Sequence, residues 1–386
     1  MEKSISFAEA FGGAGGFSAA LSPEFKPIIA FDNDKRAAEV YLRNRSAINF
    51  IKKDLTQITD FKSLIPKIPD MLLAGPPCQG FSLVGMKTKK TLSIEKGYDP
   101  ITDPRNLLPL EVVRIASQLR PRIIVMENVP AMSNQKVSHN GQEAPLVSIL
   151  TNLLSEIGYS VTDPFFLESS KLGIAQKRKR AFLVASLTLQ IRSDEILSAQ
   201  NRASQEFGGR HLYHVIKDLE RIPMASGGCS FPPRFQDHIG RVPNPDDLRI
   251  IQNLRPGENY TALLERMPRV IDGRNHKVYE ASSFADKFYR LRWDRPSRTI
   301  VAHLQKDGNS FIHPSLDRSI SVREAARIQS FPDSFRFDIP MSPAYRLIGN
   351  AVPPLMGKFL VETVSRITGL LNEKTSETSQ YAGLVS

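Results

Sequence analysis

The chain of 386 residues is 41% apolar and 24% charged, with a formal net charge of +11 and a pI of about 9.6. That is the make-up of a globular protein long enough for a large buried core and a second, smaller domain, and the positive excess points to a polyanionic partner, nucleic acid first of all. No apolar run approaches a membrane span, the opening MEKSISFAEAF lacks the basic-then-apolar pattern of a secretion signal, and two cysteines, Cys78 and Cys229, exclude a disulfide framework and a zinc cluster, so a cytoplasmic protein without a metal is expected.

In chain order, Ser4–Phe11 reads as a short apolar strand, and a Gly-rich turn then opens a helix through Leu21. Pro27–Phe31 is a second strand ending at Asp32, Lys35–Asn44 a helix, and Asn49 begins a third strand that Asp54 closes. Met71–Ala74 is a buried strand running into Gly75-Pro76-Pro77, Asn106–Leu119 a helix, Arg122–Met126 another buried strand, Leu146–Ile157 a helix capped by Gly158, and Ala181–Ser186 a last strand. Strands alternating with helices predict an α/β fold, a mostly parallel sheet covered on both faces. The rhythm breaks near Leu187. From there to about Phe335 the chain is rich in Pro, Gly and Asn, and a second, irregular domain with little helix is expected, Ser321–Ser330 being its one clear helix. A helix returns from Pro353 to Leu371 and is expected to pack back on the first domain.

Several segments carry chemistry. Phe11-Gly12-Gly13-Ala14-Gly15-Gly16 sits between strand and helix, where glycines allow close backbone approach to a ligand. Asp32, at the end of the next strand, is placed to accept hydrogen bonds from ribose hydroxyls, and its spacing departs from the dinucleotide fingerprint, which favours a nucleoside without a pyrophosphate. In Pro76-Pro77-Cys78-Gln79-Gly80-Phe81-Ser82 a stiff Pro-Pro lead fixes a thiol ahead of a loop with conformational freedom, an arrangement suited to a nucleophile rather than to an inert core cysteine. Glu127, in Glu127-Asn128-Val129, stands at the carboxyl end of a buried strand, where α/β sheets keep their sites. In Gln176-Lys177-Arg178-Lys179-Arg180, strand alternation puts Gln176, Arg178 and Arg180 on one side. Arg323-Glu324-Ala325-Ala326-Arg327-Ile328-Gln329-Ser330-Phe331-Pro332 reads as a packing helix, and Gly349-Asn350-Ala351-Val352 as a turn before the last one.

Taken in order, these segments resemble the motifs of the DNA (cytosine-5)-methyltransferase family, over Phe7 to about Pro354. The resemblance implies a Rossmann-like, S-adenosylmethionine-dependent methyltransferase sheet (residues 1–186, completed by 337–386) with a smaller, irregular target-recognition domain (residues 187–336). It implies S-adenosylmethionine as cofactor and S-adenosylhomocysteine as product, held by Phe11, Gly13, Gly15, Gly16, Asp32 at the ribose, Asn33 and Asp54 at the adenine, Pro76, Asn350 and Val352. This chain has Asn33 where the family often has a large apolar residue, and Glu9 where it usually has Asp. Catalysis would fall to Cys78, Glu127, Arg178 and Arg180, and contact with double-stranded DNA to Gln79, Ser82, Lys87, Lys89 and Lys90.

The chemistry then reads from the residues. The Cys78 thiolate, favoured by Arg178 and Arg180, adds to C6 of a cytosine rotated out of the duplex, which makes C5 nucleophilic. Glu127, protonated, donates to N3, and an arginine holds O2. The resemblance further implies a monomer acting beside a separate restriction endonuclease. Three other readings share parts of the pattern: a tRNA cytosine-5 methyltransferase, a non-catalytic DNA-binding protein, and an NAD-dependent oxidoreductase read from the Gly-rich turn alone. The roughly 150 residues between Arg180 and Phe331 favour DNA over tRNA.

Overall fold

The computed structural model describes residues 4–46, 48–77, 101–224, 237–267 and 287–371. Its centre is one mixed sheet made of β1 (Ile5–Ala10), β2 (Phe25–Asp32), β3 (Asn49–Lys52), β4 (Met71–Ala74), β5 (Ile123–Asn128), β8 (Ser160–Val161), β9 (Phe165–Glu168) and β10 (Lys179–Ser186), while β6 (Lys136–His139) and β7 (Gln142–Pro145) form a separate hairpin. The order β3-β2-β1-β4-β5-β10-β8 is parallel from β3 to β5, and β10 runs antiparallel to β5, β8 and β9. This is the Rossmann-like α/β sheet the sequence predicts. The chain winds outward in one direction from β1 to β3 and in the other from β4 to β10. The loops after β1 and β4 therefore part to opposite faces and leave a crevice beyond the carboxyl ends of the strands. The register aligns those ends: Ala10 lies beside Phe31 and Ala74, and Ala74 beside Met126.

Both faces of the sheet are covered, which is why its central strands are continuous apolar runs rather than alternating ones. Leu72 and Ile124 face a core with Val112, Ile115 and Leu119 of the helix Leu110–Leu119 and Leu146, Leu150 and Leu154 of the helix Leu146–Glu156. Their strand neighbours Leu73 and Val125 face a second core, filled by Met356, Phe359, Leu360 and Val364 of the helix Pro354–Ile367 and by Ile196 of the helix Ser193–Phe207. The last helix thus packs on the sheet, as expected. The buried Ser6 of β1 is satisfied in place: its amide and hydroxyl both donate to Asp70 Oδ2, at 2.9 and 2.7 Å.

The structure corrects several expectations. The glycine turn leads into a single 3-10 turn, Gly16–Ser18, entered from Gly15 in the left-handed region at φ 84°, not into a helix through Leu21. The β6–β7 hairpin and the short strands β8 and β9 were not foreseen. The chain beyond β10 is more helical than its Pro and Gly content predicts, with helices Ser193–Phe207, Pro245–Asn253 and Tyr260–Arg266. Asn244 and Asn259, read as loop signals, accept from the amides of Asp247 and Ala262 and so cap the latter two.

The helix Val322–Ile328 opens with a capping box, Ser321 with Glu324, and buries Ala325 and Ala326. Around it lies a third core in which Ile300, Leu304, Phe311 and Ile320 meet Ala37 and Val40 of the helix Lys35–Asn44 and Ala344, Leu347 and Ile348 of the helix Met341–Asn350. Among the described residues no helix is long and apolar enough to cross a membrane.

Candidate active site

β1 hands over to the glycine turn with one more ladder bond, Gly12 N–H to the Phe31 carbonyl at 3.0 Å. Phe11 and Gly13 then adopt φ of 54° and 55°, turning the chain back over the ends of β1 and β2. A Cβ on Gly13 would meet nothing within 4 Å, so there the turn borders open space, whereas on Gly16 it would lie 2.7 Å from Ala351 Cβ and 2.9 Å from the Val352 carbonyl. Asp32 ties the turn down: its Oδ2 accepts from Gly13 N–H and its Oδ1 from Asp34 N–H, both at 2.8 Å. Burial raises the Asp32 pKa, and those two amide donors oppose the rise. Each oxygen keeps a lone pair for a ligand hydroxyl.

At the ends of β4 and β5 the geometry is equally local. Asn128 Nδ2 donates to the Pro76 carbonyl at 3.2 Å, which fixes the Pro-Pro turn against β5. Cys78, Gln79, Ser82, Lys87, Lys89 and Lys90 lie outside the described residues. Pro77, directly before Cys78 in the chain, lines the same cavity as Glu127 and Arg180. Glu127 is buried on β5 and its Oε1 is 2.8 Å from Arg180 Nε on the neighbouring β10. Burial pushes its carboxyl pKa up, and the Arg180 and Arg178 guanidinium charges pull against that.

The two arginines serve different neighbours. Arg178 Nη1 donates to the Ile300 carbonyl at 2.7 Å and its Nη2 to the carbonyls of Gly349 and Ala351 at 3.1 and 3.0 Å. Gln176 reinforces this joint. Its Oε1 accepts from Ile300 N–H at 2.8 Å, and its Nε2 donates to Gln329 Oε1, while Gln329 Nε2 donates to the carbonyls of Ile348 and Ala351 at 3.0 and 2.9 Å. Of the three residues that alternation puts on one side, Arg180 reaches the carboxylate on β5, while Arg178 and Gln176 bond the backbone of Ile300 and Arg178 also the carbonyls of Gly349 and Ala351.

Asp32, Glu127, Arg178, Arg180 and the turn residues Phe11, Gly13 and Gly16 line one cavity of about 290 Å³. Asn33, Asp54, Pro76, Pro77, Asn350 and Val352 line it as well. Gly15 does not line it. At φ 84° that glycine packs behind the wall, where a Cβ would sit 2.9 Å from the Tyr41 ring. Asp54 uses Oδ1 to cap the turn Leu55–Gln57, accepting from Thr56 N–H at 3.0 Å.

Charges and acceptors of the lining together decide what suits it. Arg180 is paired with Glu127 and Arg346 with Asp34, and Glu9, Asp32 and Asp54 stand against Lys53 and Arg178, whose charge its bonds to carbonyls leave in place. Glu9 is buried, bonded through Oε2 to Ser18 at 2.9 Å and to Tyr41, while its Oε1 has no partner among the described residues. The unpartnered Glu9 oxygen and the Asp32 carboxyl oxygens suit a ligand that brings an amine and ribose hydroxyls as donors, as S-adenosylmethionine does. Sequence reasoning missed Arg346, Lys53 and the Gln176–Gln329 pair. Arg346 lies four residues before Asn350 on the same helix, a spacing that puts both on one face and was available as a signal.

Comparison with known proteins agrees in extent and in kind. The family model described as C-5 cytosine-specific DNA methylase matches residues 5–366. The type II methyltransferase M.DdeI of Desulfomicrobium norvegicum is 29% identical over 391 residues, covering 92% of this chain and 87% of that one. The type II methyltransferase M.Eco47II of Escherichia coli is 28% identical, with 93% and 79% covered. Among solved structures, one titled as a DNA modification methyltransferase encoded within an E. coli prophage superposes with a TM-score of 0.67 at 20% identity, covering 95% of this chain and all of the other. The Dnmt2 methyltransferase of S. pombe gives 0.55 at 14%, with 94% and 99% covered.

Proposed function

This chain belongs to the C-5 cytosine-specific DNA methylase family and methylates C5 of cytosine in DNA, and we propose that Cys78 is the nucleophile that makes the reaction possible. C5 of cytosine is a poor nucleophile until the conjugation of the ring is broken. Addition of the Cys78 thiolate to C6 breaks it and leaves C5 electron-rich. The family's donor, S-adenosylmethionine, supplies an electrophilic sulfonium methyl when bound. After C5 takes the methyl group, loss of the C5 proton and departure of Cys78 restore the aromatic ring.

The other residues divide the remaining work. Glu127, whose carboxyl pKa burial raises against the pull of Arg180 and Arg178, is the proton donor to N3 as negative charge develops on the ring. Arg180, in contact with Glu127, is the donor for O2. Arg178 is a positioning residue, since its donors hold the turn that carries Asn350. Asp32 takes the ribose, Asn33 and Asp54 the adenine end, and Phe11, Gly13, Gly16, Pro76, Asn350 and Val352 the walls. Gln79, Ser82, Lys87, Lys89 and Lys90 contact DNA, and the cytosine turns out of the duplex to reach Cys78.

Within the chain, residues 1–186 with 337–386 form the catalytic domain, and target recognition belongs to 187–336, apart from the helix Ser193–Phe207 that packs on the sheet. The relatives named type II methyltransferases favour a role in restriction–modification; action in the cytoplasm, as a monomer beside a separate endonuclease, is part of the same proposal. The single observation that carries the site assignment is the meeting of Pro77, Glu127, Arg180 and the Asp32-bound glycine turn on one cavity. Bisulfite sequencing of DNA from a methylation-free host expressing the chain tests it. Cytosines protected at one short sequence are expected, and full conversion refutes the reading.

A further inference from the structure

Arg346 reaches the cavity from the helix Met341–Asn350, at the end bordered by Asp32, Asn33 and Asp34. Its Nη1 pairs with Asp34 Oδ2, across 312 residues of sequence. The Asp34 carboxylate is divided between two tasks. Oδ1 caps the helix Lys35–Asn44, accepting from the amides of Arg36 and Ala37 at 2.8 and 3.2 Å, and Oδ2 is left to Arg346. The pair is only partly exposed, at 30% and 23% for the two side chains. Burial pushes the Asp34 pKa up, but the Arg346 bond and the two amide bonds outweigh it, and the carboxyl stays below its ordinary range. Asp34 is therefore ionised at neutral pH, and the cavity holds a neutralised guanidinium where a bare one would repel a sulfonium.

We propose that Arg346, held by Asp34, is a binding residue for the adenosyl moiety of the cofactor and that their ion pair closes that end of the cavity. The proposal rests on the reading of this cavity as the cofactor site. A guanidinium offers a flat cationic face to a purine and edge donors to ring nitrogens or ribose oxygens, and the short Asn33 side chain beside it leaves that contact to be made from the opposite element. The pair also joins the end of β2 to the helix that carries Asn350, so it fixes the width of the site.

Calorimetric binding of S-adenosylmethionine and S-adenosylhomocysteine to the full chain and its variants tests this. The two ligands differ by the sulfonium charge. Arg346→Gln is expected to weaken S-adenosylhomocysteine about five-fold. Asp34→Asn keeps the helix cap, because the Asn Oδ1 accepts the same amide bonds, and loses the charge together with the Oδ2 acceptor of Arg346. The affinity ratio between the ligands is the readout that a merely structural role would not move. Asp34→Asn should disfavour the cationic ligand relative to the neutral one by about two- to three-fold, and Arg346→Gln should favour it by a similar factor. Arg346→Lys should retain the wild-type ratio. If the wild-type chain binds neither ligand, the reading of the cavity falls. If it binds both and the variants match it in affinity and ratio, the reading stands and the role of Arg346 is overturned.

Discussion

The sheet and the chain beyond it are held by different forces. Around β1, β4 and β5 the core is apolar on both faces, and backbone groups are satisfied by the sheet ladder. In the region that includes Asp237–Met267 and Lys287–Phe335, backbone carbonyls lack such ladders and buried arginines supply the donors. Arg323 binds Asp237, with Nε–Oδ1 at 2.8 Å, and the Phe335 carbonyl at 2.6 Å. Arg290 binds the carbonyls of His313 and Ile251 at 3.1 and 2.7 Å. Arg318 forks onto the buried Glu324 at 2.7 and 2.8 Å. An irregular chain that must be buried needs donors for its carbonyls, and a guanidinium carries five in a fixed plane. Regular structure frees the sheet's strand ends for chemistry, while irregular structure commits its charges to holding shape.

That contrast can be broken most sharply at Cys78. Cys78→Ser should lower the methylation rate by about 10⁴-fold or more with no change in thermal midpoint, measured by tritiated methyl transfer beside calorimetry. A Ser variant of near-normal rate, or 5-fluorocytosine DNA that leaves no trapped adduct with the wild-type chain, would remove the covalent step from the sheet's side of the comparison.

Beyond the sheet the largest effect should be on folding. Arg323→Met leaves Asp237 buried without its partner and is expected to cost about 3–5 kcal/mol of stability. Adding Asp237→Leu to it should recover part of the loss, because the uncompensated charge is then gone. Denaturant titration reads both, and a single variant as stable as wild type would mean that the clamp holds nothing.

Glu127→Gln tests the strand end for proton donation, with an expected loss of about 10²- to 10³-fold in rate. The sign with pH follows from the raised pKa: the proton is present below the folded pKa and is lost as pH rises through it, so the Glu127-dependent part of the rate falls on that side. The same shift favours the folded state at low pH and withdraws that contribution as pH rises above the ordinary glutamate range. The pH–rate profile of the Gln variant should lose the alkaline limb that belongs to Glu127.

The finest comparison lies within two residues of each other. Arg178→Met removes donors from the carbonyls of Ile300, Gly349 and Ala351 and should lower stability by about 2–3 kcal/mol. Arg180→Met should leave stability closer to wild type and act on the rate instead. Equal effects of the two on both measurements would erase the distinction.

Much of this was legible before folding. The positions of β1 to β5 and β10, the acids at their ends and the returning last helix are encoded in short-range periodicity and turn residues, and there the chain reads correctly. The helices Pro245–Asn253 and Tyr260–Arg266 were not legible, because their asparagine caps look like loop residues until the following turns are seen to bond to them. Gly15 looked like a ligand-facing glycine and instead packs against Tyr41. Spacing alone cannot tell approach to a ligand from approach to a side chain.

By itself, then, the order of residues determined the parallel part of the sheet, the direction in which its strand ends point, and several of the groups that gather there. It also determined the family, because that order of motifs spans the chain. Only the tertiary structure separated Arg178 from Arg180 and brought Arg346 to Asp34. The partners of Arg178 and Arg346 come from segments more than a hundred residues distant. A side chain's role follows from the acceptors it meets, and no local pattern records which distant acceptors folding will bring within reach.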